Sequence, residues 1–222
     1  TSNDHDNQSS KLRLIKTLWG IDEPISTQLF QSIRDEGYVG VEVIKLAWST
    51  EEATKVLVES LNASGLCVVC QMHTCGGYIQ ESDGSYVYCG KFDVDSHALD
   101  FAKQLKECVD LIQQVDAKGF VNVHGGMDAW TIDEAIQFLT LCLKEIETTA
   151  GSTVVTFETH RQRLFGSPFQ TRDILTAGES TLAWKDLKLN ADLSHWYCAC
   201  ERVFDAKEPR DLGWWPALLQ NV

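Results

Sequence analysis

Apolar runs of strand length alternate with amphipathic helical stretches along the chain from residue 12 onward. The first helix shows the spacing clearly, because Ile25, Leu29 and Ile33 recur every four residues before Gly37 ends the pattern. The pattern predicts six strands, each followed by a helix. The strands cover residues 12–19, 38–46, 66–72, 120–123, 154–157 and 187–193, and the later helices cover residues 50–62, 96–117, 131–148 and about 171–176, with the last beginning near Tyr197.

Regular alternation of strand and helix predicts a parallel sheet with right-handed crossovers. An open doubly wound sheet and a closed barrel both satisfy this pattern. No GxGxxG turn follows the first strand, however, and the nucleotide-binding form of the open sheet thereby loses its main support. We therefore predict an α/β fold of the TIM-barrel type, incomplete because the sequence supplies about six of the usual eight strand–helix units. Residues 1–11 are predicted to be a flexible tail and residues 12–222 a single partial-barrel domain.

The segment after the third strand, residues 74–94, is rich in Gly, Ser, Asp and Tyr and lacks apolar periodicity. A connection of this length is typical of a binding face. Cys75 and Cys89 lie within this segment, where they bracket a loop, and are the one cysteine pair that stays under consideration. Cys67 and Cys70 share a strand on which their side chains face opposite ways, so we interpret them as reduced core thiols rather than metal ligands.

Charge and hydropathy exclude several classes of partner. The formal net charge is −13, with 32 acidic residues against 19 basic ones, whereas a duplex-binding protein needs Lys and Arg to neutralise phosphates. The sequence has no apolar run of membrane-spanning length and no apolar signal core near residue 1. We therefore expect a cytoplasmic protein that binds neither nucleic acid nor membrane.

Polar residues two positions apart occur near the C-terminal ends of four predicted strands. Side chains at this spacing project from the same face of a strand, and in a TIM barrel such groups meet above the core, where the active site forms. The pairs are Gln71 with His73, Asn122 with His124, Glu158 with His160, and Asn190 with Asp192.

These pairs predict a metal site. Glu158 follows the apolar run 154–157, where a carboxylate costs several kcal/mol unless it is paired or metal-bound. Carboxylates together with imidazoles suit Mn, Mg, Co or Zn, and the sequence does not choose among them. For the last pair an alternative stays open, since Asn190 could cap a turn and Asp192 the next helix.

Four motifs, in this order, resemble those of the xylose-isomerase-like TIM barrel superfamily of sugar and sugar-phosphate isomerases and epimerases. They are GYVGVE at residues 37–42, VHGG at 123–126, FETHR at 157–161 and DLSHW at 192–196. The resemblance covers residues 12 to about 220 and implies that Glu158 and Asp192 bind the metal. It also implies catalytic roles for Glu158, His160 and His195, and substrate contacts by Glu42, His73, His124, Arg161 and Trp196.

The function implied by this resemblance is a metal-dependent isomerase or epimerase of a small sugar or polyol, acting by proton transfer or hydride shift beside a carbonyl. In the superfamily a His from strand seven and a Glu from strand eight complete the metal site, and the sequence supplies neither strand. We therefore expect either a fragment or a chain whose open sheet edge favours homo-oligomers. Two alternatives stay open: a non-catalytic barrel that binds a ligand or partner, and a phosphodiesterase similar to abasic-site endonucleases, which the acidic charge disfavours.

Overall fold

The computed structural model describes residues 12–76, 78–80, 86–88, 90–179 and 187–201. Six parallel strands within these ranges form one curled sheet in the order β1-β2-β3-β6-β7-β8, and a separate antiparallel pair, β4 and β5, lies between β3 and the third helix along the chain. The strands are β1 (Ile15–Thr17), β2 (Gly40–Ile44), β3 (Cys67–His73), β4 (Tyr78–Gln80), β5 (Tyr86–Tyr88), β6 (Phe120–His124), β7 (Val154–Glu158) and β8 (Leu189–Asn190).

Helices connect the parallel strands, and most of them begin at a residue whose side chain accepts a hydrogen bond from the first turn. They are α1 (Thr27–Asp35), α2 (Glu51–Ser64), α3 (Val94–Gln113), α4 (Ile132–Thr149), α5 (Pro168–Gly178) and α6 (Leu193–Cys200). At α4 the cap is reciprocal, because Thr131 accepts from the Glu134 backbone and the Glu134 side chain accepts from the Thr131 backbone. These caps fix where each helix leaves the loop that follows its strand.

The hydrophobic core lies between the sheet and the helices. On β2, Val41 and Val43 are fully buried, and the alternation of a strand turns Glu42 to the opposite face. Aromatic rings join the layers: the rings of Phe101 on α3 and Phe157 on β7 stack at 6.0 Å between centroids. A parallel sheet covered in this way holds its strand ends rigidly, so groups at those ends have defined positions.

The predicted incomplete barrel is confirmed, with differences at its last strand and in the long connection. The sixth parallel strand is only Leu189–Asn190 rather than residues 187–193, because Asp192 caps α6 and the helix begins at Leu193, before Tyr197. The segment predicted as a loop contains the β4-β5 hairpin. Residues 1–11, Cys89 and residues 202–222 lie outside the described residues. Within the described part, no helix combines the length and apolar composition that a bilayer crossing needs.

Candidate functional site

The C-terminal ends of the parallel strands surround a cavity of about 590 Å³. Every residue that lines it lies on a parallel strand or in the segment that follows one. Its walls are Thr17, Trp19, Glu42, Gln71, His124, Glu158, His160, Asn190, Ala191, Asp192, Leu193 and His195.

Strand alternation explains how β6 supplies polar groups to this end of the sheet. Val121 and Val123 are fully buried in the hydrophobic core. The residues between and after them, Asn122 and His124, therefore face the other way, toward the inside of the curled sheet. Both are almost completely buried, so each must find its hydrogen-bond partners inside the protein.

Glu158, the last residue of β7, is the centre of the polar cluster and is only 7% exposed. Its Oε2 atom lies 3.0 Å from His124 Nε2 and accepts hydrogen bonds from the side-chain amides of Asn122 and Asn190. Burial alone would raise the pKa of Glu158, but the hydrogen bond and charge of His124, together with the Asn122 amide, outweigh it and lower that pKa to about 2. Glu158 is thus a carboxylate at neutral pH.

Glu42 on β2 approaches the same amide from the other side, with Asn122 Nδ2 at 3.3 Å from Glu42 Oε1. Burial is the largest influence on Glu42 and raises its pKa, and the neighbouring charge of Glu158 acts in the same direction. One buried amide group therefore separates two carboxylates whose pKa values shift in opposite directions.

Asp192 has two roles, one for each oxygen. Its Oδ1 atom accepts a hydrogen bond of 2.9 Å from the backbone of Ser194 and so caps α6, as the alternative interpretation of its position predicted. Its Oδ2 atom lies 3.6 Å from Nε2 of His195, one turn along the helix. The cap thus holds Asp192 at the cavity wall beside His195.

Four histidine rings form a continuous row at the end of the sheet. The centroid distances are 4.3 Å from His73 to His124, 4.6 Å from His124 to His160 and 3.8 Å from His160 to His195. Burial, followed by the charge of His124, lowers the pKa of His73 to about 3 and that of His160 to about 4. Both of these rings are therefore neutral near pH 7.

The tautomer of His160 follows from its backbone contact. His160 Nδ1 lies 2.6 Å from the carbonyl oxygen of Arg161, which can only accept a hydrogen bond. Nδ1 of the neutral ring therefore carries the proton, and Nε2 keeps its lone pair. A histidine whose other nitrogen is fixed in this way is the usual form of a metal ligand or a general base.

The donor groups fit a divalent metal ion. Two sets of three ligand atoms lie within 4.8 Å of one another, His124 with Glu158 and His160, and Glu158 with Asp192 and His195. Hydrogen bonds converge on Oε2 of Glu158, which leaves Oε1 for a ligand. Among the described residues, His124 Nδ1 is buried without a hydrogen-bond partner. Oxygen and imidazole donors of this kind suit Mn, Mg, Co or Zn.

Three of the five predicted substrate contacts do not line the cavity. His73 lies behind the wall, with its ring 4.3 Å from that of His124. The Arg161 side chain is exposed, and the contact that Arg161 makes with the site is through its carbonyl oxygen. Trp196 is 3% exposed and donates from Nε1 to the Phe165 carbonyl at 2.9 Å, because α6 turns its ring into the core. Sequence reasoning missed Thr17 and Trp19 in the cavity wall, although their position at the end of the first strand could have indicated them.

Solved structures with the same architecture include an epimerase, a dehydratase and an AP endonuclease. The chain superposes on 3-keto-D-glucoside 4-epimerase from E. coli with a TM-score of 0.60 at 16% identity, over 95% of this chain and 75% of that one. It superposes on the probable 3-DHS dehydratase of petrobactin synthesis from Bacillus anthracis with a TM-score of 0.58 at 15% identity, over 85% and 66%. An AP endonuclease of family 2 from Brucella melitensis gives 0.58 at 12% identity, over 84% and 70%.

These similarities define the class of fold. The chain has the fold of a partial TIM barrel, with six parallel strands in its described residues, and this fold is similar to that of the xylose isomerase domain proteins among these structures. Its structural neighbours include sugar epimerases, xylose isomerase domain proteins and a dehydratase, at 8–16% identity. No protein-family model and no curated protein sequence matches the chain.

Proposed function

We propose that the chain is the metal-binding part of an isomerase or epimerase that acts on a small sugar or polyol by proton transfer beside a carbonyl. The observation that supports this most directly is the environment of Glu158. A buried carboxylate that three side chains keep ionised, with Asp192, His160 and His195 around it, is suited to a divalent ion and to acid–base chemistry.

The residues divide into ligands and proton carriers. Glu158 and Asp192 would hold the ion, whose charge would polarise a substrate carbonyl when bound. His160 accepts a proton at Nε2, since its Nδ1 is committed to the Arg161 carbonyl. His195, with its ring 3.8 Å from that of His160, is the partner that returns a proton. In the cavity wall, Glu42 accepts hydrogen bonds from substrate hydroxyl groups, and the Gln71 amide donates to them.

A metal titration tests the first half of the proposal. After dialysis against EDTA, the protein is titrated with Mn²⁺ by calorimetry, and we expect one tight site per chain. Glu158→Gln should weaken that site by a hundredfold or more, because Glu158 belongs to both ligand sets. Glu59→Gln is the matched control, since it makes the same change on the exposed side of α2. Equal affinities in the two variants would remove Glu158 as a ligand.

Deuterium incorporation tests the second half. The Mn²⁺-loaded protein is incubated in D₂O with D-fructose and D-xylose, each with and without a phosphate group. We expect deuterium at the carbon beside the carbonyl of at least one sugar, and none with Glu158→Gln. Metal binding without exchange in any of them would favour a ligand-binding barrel without catalysis. We also propose that nucleic acid is not a partner, given the net charge of −13, and salt-dependent DNA binding would contradict this.

A further inference from the structure

Thr74 connects two of the loops that carry the histidine row. It follows β3 directly and is completely buried. Its backbone N–H donates to the carbonyl oxygen of His124 at 3.2 Å, and its Oγ1 accepts from the N–H of Gly126 at 3.0 Å. Gly126 has a φ of +64°, and a Cβ there would lie 2.8 Å from the Trp130 ring, so this turn requires glycine.

The hydroxyl of Thr74 has a fixed direction because of His97 on α3. His97 is also completely buried, with Nε2 at 2.9 Å from the Lys91 carbonyl and Nδ1 at 2.7 Å from Thr74 Oγ1. A carbonyl only accepts, so Nε2 carries the proton of the neutral ring. Nδ1 therefore accepts from the Thr74 hydroxyl, whose oxygen in turn accepts from Gly126. The Thr74 hydroxyl thus donates to one partner and accepts from another, and each nitrogen of His97 has a single role.

Arg163 connects the third loop to the same residue. Its Nη1 donates to the Thr74 carbonyl at 3.0 Å, and its backbone N–H donates to the His160 carbonyl at 3.1 Å. The Arg163 guanidinium lies against Gly76, where a Cβ would collide with it. Thr74 thus bonds through its N–H, carbonyl and hydroxyl to the loops after β6 and β7 and to α3.

We propose that Thr74 is a positioning residue that sets the spacing of the His73, His124 and His160 rings. It is the neighbour of His73 in the chain, it bonds to His124 and Gly126, and it is tied through Arg163 to His160. The rings that lie 4.3 Å and 4.6 Å apart belong to these same three segments: the ends of β3 and β6 and the loop after β7. The inference depends on the proposed function only where metal affinity is measured.

The test compares two substitutions of Thr74 with a control. Thr74→Val keeps the shape and removes the hydroxyl, whereas Thr74→Ser keeps the hydroxyl. Thr171→Val is the matched control, because Thr171 is equally buried and its hydroxyl bonds only within α5, to the Ser167 carbonyl at 2.7 Å. The first readout is the ¹H–¹⁵N spectrum of the histidine rings in the metal-free protein, which has six histidines. The second is Co²⁺ affinity, followed by the visible absorption of the bound ion.

Thr74→Val should move the ring signals of His73, His124 and His160 and weaken Co²⁺ binding about tenfold, as loss of a supporting hydrogen bond around a metal site does. Thr74→Ser should restore both, and Thr171→Val should change neither. If Thr74→Val does not fold, His97→Gln, which removes the ring nitrogen that accepts from the Thr74 hydroxyl, should give the same shifts.

Ring signals that stay in place in Thr74→Val, with only a loss of stability like that of Thr171→Val, would overturn the inference. If His97→Gln has to be used instead, unmoved ring signals in that variant overturn it equally. Moved ring signals together with no Co²⁺ binding in the unmodified protein would support the positioning role and contradict the proposed function.

Discussion

Asn122→Ala is predicted to be among the most destabilising single changes at the cavity. Asn122 is completely buried, and its Nδ2 donates to Glu158 Oε2 and to Glu42 Oε1. The substitution leaves both carboxylates in place without the donor that lies between them. Asn190→Ala is the natural comparison, because Asn190 Nδ2 donates to the same Glu158 oxygen at 3.2 Å but makes that bond from a half-buried position.

The magnitude follows from the number of charged acceptors that each amide serves. A hydrogen bond to a charged group contributes about 1.5–3 kcal/mol. The bond to buried Glu158 falls in this range, and the 3.3 Å bond to Glu42 lies near its lower end. Asn122→Ala should therefore cost about 3–4 kcal/mol. Asn190→Ala, with one longer bond and Glu158 still held by two other groups, should cost about 1 kcal/mol.

Urea unfolding followed by far-UV circular dichroism measures the difference. With an m value of about 2 kcal/mol/M, the midpoint should fall by about 1.5–2 M in Asn122→Ala and by about 0.5 M in Asn190→Ala. The measurement is made at pH 7 without added metal, so that a bound ion does not contribute. Equal midpoint shifts in the two variants, or a larger one in Asn190→Ala, would refute the idea that one amide holds both carboxylates apart.

Three further changes test other parts of the structure. Burial lowers the pKa of His97, so below pH 6.5 the unfolded chain binds a proton at this residue more readily than the folded chain does. The contribution of His97 to stability should be present above pH 6.5 and decrease as the pH falls below it. In His97→Gln, urea midpoints measured from pH 7.5 to 5 should therefore depend less steeply on pH, by up to one proton. Gly126→Ala should lower the melting temperature by several degrees in calorimetry, since its φ of +64° and the Trp130 ring both oppose a Cβ. Thr131→Ala removes the α4 cap and should cost about 1 kcal/mol in urea unfolding, whereas Thr140→Ala, on an exposed face of the same helix, should cost less.

The repeating part of the fold could be predicted because it depends on side-chain period. Val41 and Val43 alternate with Glu42, and the same pattern on β6 places Asn122 between Val121 and Val123. Alternation of this kind identifies the strand and the face that each residue occupies. It also predicted that Glu158 and His124 lie at the C-terminal ends of their strands, and both line the cavity there.

The contacts between strands could not be predicted in the same way. In the strand register, Asn122 on β6 lies opposite Gln71 on β3, whereas Glu42 on β2 lies opposite Val69, two residues earlier on β3. The bond from Asn122 to Glu42 thus depends on the stagger of the strands and on the curl of the sheet, and neither is written in the period of one strand. The β4-β5 hairpin was missed for a different reason: its strands have only three residues each, which is too short to show a period.

The position at which α6 begins explains why only part of the DLSHW motif lines the cavity. Trp196 shares a motif with Asp192 and His195, but α6 already begins at Leu193. Each helical residue turns by about 100°, so the Trp196 ring points away from its neighbour His195 and into the core, whereas Asp192, as the cap residue just before the helix, stays at the cavity wall. The apolar pattern predicted a strand that continues to residue 193, and this prediction gave no indication of the helical turn at Trp196. The start of a helix is set by its cap, and Asp192 is that cap.

The row of imidazoles has a practical consequence for anyone who isolates the protein. Late first-row ions bind nitrogen donors more tightly than Mg²⁺ or Mn²⁺ does, following the Irving–Williams order. Three histidines and two carboxylates contribute to the overlapping ligand sets at this cavity, so traces of zinc or copper in a growth medium will compete strongly for it. Under the proposed function, an ion found after purification would record the culture conditions, and the working metal would have to be identified by stripping the protein and reloading it one element at a time.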